Sequence, residues 1–563
     1  MGNARSYWPG TRPLAGSGEL SGSPETFGHM TACSLFDYPL CCARKFQSCP
    51  QGVSPLICQY WLLIRGPKLK IKISRIGLTL PFVLCLLSSL GAAQVSLKSF
   101  EGIDASTDPT PGFTVDPNGA VGTKQYLEWV DQAYQGYDKT TFAAVYSSPQ
   151  KGDTPWVQNN VTACEQPGGN GIILFDHLAS RWIIAVRVGG PSTYYYCVAV
   201  SSTDDLTATG FKWYAYAFLL NPFITVNGTL YYPDYPKIAT WPDSYYGTFD
   251  LENTSHGFQN WGIAACAFDR ADMLQGLPAQ TPQCFVYPQT PSGEYLGHSL
   301  LPADIDGITP PPTGTEESFV SIENPSGTNT TSSQLNLWQM HVDWSNPQNS
   351  TFTGPNPITV ATYTPGCYNL KFPTNTYCVP EPSSPTTKNY VDSVGDRLMH
   401  RFAFRQFPTY QSYIVTQTVE PGTTAQTGIR WYEFSPSGST LTVTNSGTIS
   451  PDTTYFRFMP SAAQDKVGNM AIGYSGSSTG LHPSIAASHL NLPSNTKPAE
   501  FKILLGTADA ENSPHWGGYT SMTVDPVDDC TFWYVNEYLT TNQTGKSQTW
   551  RTRIAKFKLS TCK

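Results

Sequence analysis

Charge is scarce in this chain: Asp, Glu, Lys and Arg together make up 13 % of its 563 residues. Such poverty disfavours a helical protein, whose solvent faces are built from those residues. The chain also lacks any Cys-x-x-Cys, which disfavours zinc ribbons and thioredoxin-type redox sites. It has no His-Glu-x-x-His, so a zincin-type centre is excluded. What is plentiful is turn and strand material: 47 Gly, 46 Pro and 13 % aromatics. At this length one ordinary core is insufficient unless the core repeats. The composition is that of an all-β protein.

The N-terminal region divides from the rest. Residues 67–94 read PKLKIKISRIGLTLPFVLCLLSSLGAAQ, with Lys68, Lys70, Lys72 and Arg75 ahead of an uncharged apolar stretch. Gly91-Ala92-Ala93 supplies the small residues cut by signal peptidase, so 67–93 reads as a secretory signal, with a single membrane anchor as the alternative. Residues 1–66 have no period and read as a disordered leader or a mis-assigned start. Residues 94–563 form the expected folded domain. Without residues 1–93, which hold 9 Lys+Arg and 3 Asp+Glu, 25 basic and 39 acidic residues remain, a net charge of −14. That surface repels phosphate backbones and anionic lipid, so no nucleic-acid partner is expected, and a membrane only if the signal stays uncleaved. Eight cysteines follow the signal, an even number that implies disulfides and a secreted, extracellular or cell-envelope location. Neighbour pairing gives Cys164–Cys197, Cys266–Cys284, Cys367–Cys378 and Cys530–Cys562 as the natural set, although spacing alone does not fix the connectivity.

One pattern recurs. DPVDDCTFWYVNEY (525–538) sets an acidic turn before an aromatic strand, and FDHLASRWIIAVRV (175–188), WPDSYYGTFDL (241–251), AQDKVGNMAIGYS (463–475) and VDPNGAVGTKQYLEWVD (115–131) do the same. Each reads as one hairpin in which a strand ends at Asp and a Trp/Tyr/Val/Ile strand returns, and Asp suits such a corner because its carboxylate accepts hydrogen bonds from amides one or two residues on. Asp116, Asp176, Asp243, Asp465 and Asp525 are therefore read as structural turn acids. With looser matches at Asp306 and Asp396, seven units follow one another at intervals of 60 to 69 residues, except for 90 between Asp306 and Asp396. Seven four-stranded units predict a β-propeller of about seven blades; six blades or tandem β-sandwiches are the alternatives. The wide interval holds PEPSSPTTKN and the Cys367/Cys378 pair, which read as a stapled surface loop.

DPNGAVG, FDHLASRW, YPDYPKIATWPDSYY, LPADIDG, GDRLMHRFAFR and SMTVDPVDDCTFWYVNEY resemble a group of secreted bacterial proteins of the sialidase-like β-propeller type, over roughly residues 100–560. The resemblance implies the fold. It does not carry over an activity: the sialidase Asp-box is only echoed in SAAQDKVGNMA, and the Arg-Ile-Pro element is missing.

The residues themselves single out little chemistry. Arg397, Arg401 and Arg405 would share one face of a strand, but Arg430, Arg457, Arg551 and Arg553 are equally available, and no catalytic residue is assigned. The adjacent acids Asp528-Asp529 and Glu316-Glu317 fall in expected turns or loops. GSSTG (476–480) matches a nucleophile elbow formally but has no helix behind it and reads as a loop. Asp304 and Asp306, before Gly307, are the metal candidate: acids at i and i+2 can wrap calcium, although a full twelve-residue loop is missing. No other cofactor is implied. Tyrosines cluster in STYYYC, KWYAYAF and TLYYPDYP, where they fill blade interfaces or stack on sugars. The expectation is a monomeric, secreted binding module for an extracellular glycan or protein, with a divergent sialidase-like glycoside hydrolase or a structural envelope protein as alternatives.

Overall fold

The stretch 521–539 shows how a unit is made. Ser521–Val524 ends at Asp525, whose carboxylate accepts a hydrogen bond from the Val527 amide (3.0 Å), and Thr531–Leu539 returns antiparallel to it. The side chain takes the place of a backbone acceptor, so the chain reverses without leaving that amide unsatisfied. Asp176 does the same for the amides of Leu178 and Ala179, and Asp465 for those of Val467 and Asn469. Asp243 stands at the matching corner and accepts from the Tyr246 hydroxyl instead (3.0 Å).

The computed structural model describes residues 95–563 except 111–114, 167, 257–258, 289–298, 324, 326–329, 371–376, 388–389, 423–424, 493–494, 511–515 and 543–548. The leader 1–66 and signal segment 67–93 lie outside the described residues. The rest is a β-propeller of seven four-stranded antiparallel blades. The inner strands, in blade order 1 to 7, are Asn118–Val121, Ile172–Asp176, Tyr232–Thr240, Leu301–Asp306, Leu398–Gln406, Phe456–Gln464 and Ser521–Val524. Each packs beside the next, and the seventh beside the first, which closes the ring. Blades 4 and 5 are further tied by parallel pairing of Ala303–Asp306 with Phe402–Arg405.

The ring is fastened by the chain's own first strand. Val95–Asp104 pairs antiparallel with Trp550–Leu559 and becomes the outermost strand of blade 7. Blade 7 also carries the Cys530–Cys562 disulfide. The other three bonds are Cys164–Cys197, Cys266–Cys284 and Cys367–Cys378, so the described cysteines pair as neighbours. Glu128, fully buried in blade 1, spans the closure. It accepts from the Ile103 amide (2.9 Å), the Tyr137 hydroxyl (3.1 Å) and the Thr552 hydroxyl (2.5 Å). Burial pushes its carboxyl up to about 7 despite these donors.

The core lies between blades. The crowded tyrosines fill it: Tyr194, Tyr196 and Tyr245 are buried, and Tyr196 meets Phe249 of the next blade edge-on at 4.8 Å. Each such ring contributes about 1.5–3 kcal/mol of burial free energy.

Two readings of the repeat are corrected. Asp116 and Asp396 do not follow their inner strands but precede Asn118–Val121 and Leu398–Gln406, so they stand on the rim where inner strands begin (the entry rim) and not on the exit rim with the turn acids. The wide interval is not a surface loop either. Cys378, Val379 and Val391 are fully buried and pack with Met399, Phe458, Trp516 and Trp550, so this insertion caps part of the entry rim. Its Glu381 accepts from the Ala510 amide (2.6 Å), and its Pro380 carbonyl accepts from the Ser477 hydroxyl (2.8 Å). The burial is possible because the paired strands Val379–Pro380 and Tyr390–Val391 satisfy each other's backbone groups, while the Cys367–Cys378 disulfide staples the insertion.

Candidate functional site

Uncovered by that cap, side chains from four blades meet over the ring axis at the entry rim. From blade 3 come Asp234, Tyr235 and Lys237; from blade 5, Arg397; from the approach to blade 7, Tyr519; and from the approach to blade 1, Asp116. Blades 3, 5 and 7 are not ring neighbours, so their contacts cross the channel mouth. The Tyr235 hydroxyl donates to the Gly518 carbonyl (3.3 Å), and the Arg397 guanidinium lies 4.5 Å over the Tyr235 ring. Asn118 of blade 1 donates to the Tyr519 carbonyl (3.0 Å).

A bulge builds the blade 3 contribution. Asp234 pairs with Asp250 across the strands, but Lys237 pairs with Thr248, so one extra residue is accommodated at Tyr235-Pro236. Tyr235 has a left-handed backbone (φ 47°). Strict alternation would send Asp234 and Lys237 to opposite faces; the bulge puts both on one side. The Lys237 ammonium is then sandwiched between the rings of Tyr235 (3.3 Å) and Tyr519 (3.5 Å). Burial, and then the Arg397 charge, pull its amine well below the usual lysine range, against Asp116, Asp250 and Asp234. The ring faces work in the opposite sense, because they attract the cation.

Carboxylates crowd the same spot. Asp250 accepts from the Ser299 amide (2.7 Å) and hydroxyl (3.2 Å). Glu252, two residues further along that strand, has its carboxyl pushed up to about 8 by burial and by Asp234 and Asp250. Glu537 of blade 7 accepts from the Gly517 amide, and burial with the Asp116 charge holds it well above the ordinary range. Tyr235, Asp234, Asp116 and Arg397 remain half-buried, so the mouth presents an aromatic ring, carboxylates and a guanidinium to solvent.

The exit half of the channel has a separate polar plug. Asp304 and Asp306, read as a turn able to wrap calcium, are strand residues, and both grip Arg401. Arg401, 3 % exposed, donates to Asp304 Oδ2 (2.8 Å), to both Asp306 oxygens (2.8 and 3.2 Å) and to the carbonyls of Asp304 and Met522. Alternation along an inner strand points both acids at the axis, where the guanidinium offsets their charge. Among the described residues no group of three or more His, Cys, Asp or Glu is placed to hold a metal ion. Arg405 pairs with Asp529 (2.7 Å), so the three arginines of blade 5 lie in a row from mouth to exit, as a strand requires.

The remaining motifs fall elsewhere. Asp528 caps its own turn through the Thr531 amide and meets Lys558 at 3.2 Å. Glu317 is not in a loop but heads the strand Glu317–Ile322, where burial holds its carboxyl well above the ordinary range. Gly476 to Ser478 of the GSSTG motif end a strand, and the Ser477 hydroxyl is spent on the Pro380 and Leu481 carbonyls.

No family model and no curated protein matches the chain. Similar solved structures are the β-propeller domain of Nup133 from Vanderwaltozyma polyspora (10 % identity, TM-score 0.38, covering 83 % of this chain and 97 % of that one) and a subtype N10 neuraminidase-like protein of A/little yellow-shouldered bat/Guatemala/060/2010 (9 %, 0.32, 67 % and 94 %). A GH43 endo-arabinanase from Bacillus licheniformis is also similar (10 %, 0.26, 60 % and 98 %). At these values the likeness carries no argument about activity, and the propeller reading rests on the sheet order of the chain itself. Sequence reasoning missed the mouth. Asp116, Arg397 and the tyrosines of TLYYPDYP were each singled out without being brought together, and the proline-punctuated YPDYPKIAT carried a further signal, since a Pro inside a strand marks a bulge.

Proposed function

We propose that this chain is a secreted β-propeller that binds an extracellular glycan at the entry-rim mouth. The observation that carries the reading is the meeting of Tyr235, Asp234, Asp116 and Arg397, from three blades, around one half-open spot on the axis. A sugar offers hydroxyls to carboxylates and a guanidinium, and this mouth holds both, with the Tyr235 ring holding the Lys237 and Arg397 cations beside them. The four disulfides among the described residues fit an oxidising compartment, and no described helix is long and apolar enough to cross a membrane.

A divergent glycoside hydrolase is the second reading, and Glu252 favours it. A carboxyl kept protonated at neutral pH beside Asp234 is the pairing an acid-assisted glycosidic cleavage uses, with Glu252 as the acid and Asp234 as the base or nucleophile. The test passes wild type, Asp234→Asn and Glu252→Gln over one glycan panel and scores retention and product release together. Retention without release, weakened by Asp234→Asn, supports the binding module. Release that Glu252→Gln abolishes while retention persists makes the protein a hydrolase. Silence in both readouts overturns the glycan reading in favour of a protein partner.

A further inference from the structure

Away from the mouth, an open cleft of about 940 Å³ runs along the outer strands of blade 7 beside the hairpin of blade 1. Four lysines line it, Lys98, Lys139, Lys556 and Lys558, in a domain whose net charge is −14. Two are neutralised: Lys139 by Asp525 (2.7 Å) and Lys558 by Asp528 (3.2 Å). The other two are direct cross-strand partners, Lys98 on Val95–Asp104 and Lys556 on Trp550–Leu559, and neither makes a salt bridge among the described residues. Like charges placed opposite each other across a sheet cost stability, so the pair is a local defect unless something anionic lies between. Edge protection accounts for an exposed lysine on the outermost strand. It does not account for Lys556, which sits one strand in, is held over the rings of Phe142 (4.7 Å) and Trp533 (5.0 Å) and donates to the Lys139 carbonyl (2.6 Å). That ammonium is positioned, and although the charges of Asp525 and Asp138 reach it, it makes no direct ion pair among the described residues.

We propose that this cleft binds an acidic polysaccharide, whose carboxylate or sulfate groups bridge Lys98 and Lys556. Hydroxyls of Ser96, Thr140 and Thr531 on the same walls suit sugar hydroxyls, and the exposed Leu97 and Val527 suit their C–H faces. A concave cleft favours a single extended chain over a flat bilayer. Elsewhere the acidic surface repels polyanions, so binding is confined to this blade.

The experiment applies the full chain to immobilised polygalacturonate, dextran sulfate and neutral dextran at low salt. Wild type should be retained on the two anionic matrices and released by salt, and pass through neutral dextran. Lys98→Gln, a change at an exposed position, should weaken retention about tenfold, since one charge-assisted contact is lost. Lys98→Gln/Lys556→Gln should abolish it. Asp234→Asn, at the mouth, should leave it unchanged, which separates this site from the glycan reading above. Equal retention of wild type and Lys98→Gln overturns the proposal. So does capture by anionic vesicles with none on either polysaccharide.

Discussion

Replacing Arg401 by methionine removes the cation that ties the exit half of the channel together. The guanidinium is 3 % exposed and donates five hydrogen bonds, three of them to Asp304 and Asp306 carboxylates. Breaking one buried ion pair by removing a partner costs about 3–5 kcal/mol, mostly because a desolvated charge is left behind. Here two carboxylates, 5 % and 2 % exposed, are stranded together, so Arg401→Met should cost at least about 4 kcal/mol, a large share of a typical domain's stability. The triple variant Arg401→Met/Asp304→Asn/Asp306→Asn removes the stranded charges as well and should recover about half of that loss. Urea unfolding followed by tryptophan fluorescence at neutral pH reads both. A loss below about 1 kcal/mol, or a triple variant no better than the single one, would refute the claim that charge compensation holds the channel closed.

Three further outcomes are expected. Asp525→Ala strips the acceptor of the Val527 amide, Lys139 and Trp533 and should lower the unfolding free energy by about 1–3 kcal/mol, measured by the denaturation midpoint. Cys530→Ser/Cys562→Ser opens a 32-residue loop and should cost about 3–4 kcal/mol, and wild type in reductant, which loses the other three bonds as well, should melt lower than this variant. For Glu128 the sign follows from its direction. Its folded value, about 7, lies above the unfolded one, so the folded state holds the proton longer, and stability falls as pH rises from about 4.5 through about 7. Glu128→Gln should flatten that part of the stability–pH curve, and an unchanged slope would contradict the assignment.

The blade pattern could be read from the chain because each corner is a local device: an acid, its own amides two residues on, and a returning strand. That is why Asp176, Asp465 and Asp525 announced themselves, and why cysteines close in sequence were matched correctly. Asp116 and Asp396 show the limit. An Asp-rich turn looks the same whether it precedes or follows an inner strand, so the spacing counted blades correctly but put two acids on the wrong rim. The mouth was out of reach for a different reason. Tyr235 and Gly518 are 283 residues apart, and only ring closure brings them together. Arg397, one of seven arginines that nothing ranked, gained its place from the same closure. The Arg401 plug was hidden likewise: two acids beside a glycine suggest a cation, and the cation turned out to be a side chain from the next blade.

The fastening of blade 7 also sets a timetable. Val95–Asp104 is the first piece of the ring to be translated, and its partner Trp550–Leu559 comes about 450 residues later. Until then the ring is an open arc whose end blades each leave an apolar sheet face uncovered, and Val95–Asp104 is a strand without its partner, the kind of surface that recruits other strands. Closure of the ring therefore waits on Trp550–Leu559, and anything that occupies Val95–Asp104 before then acts as a brake on the whole molecule.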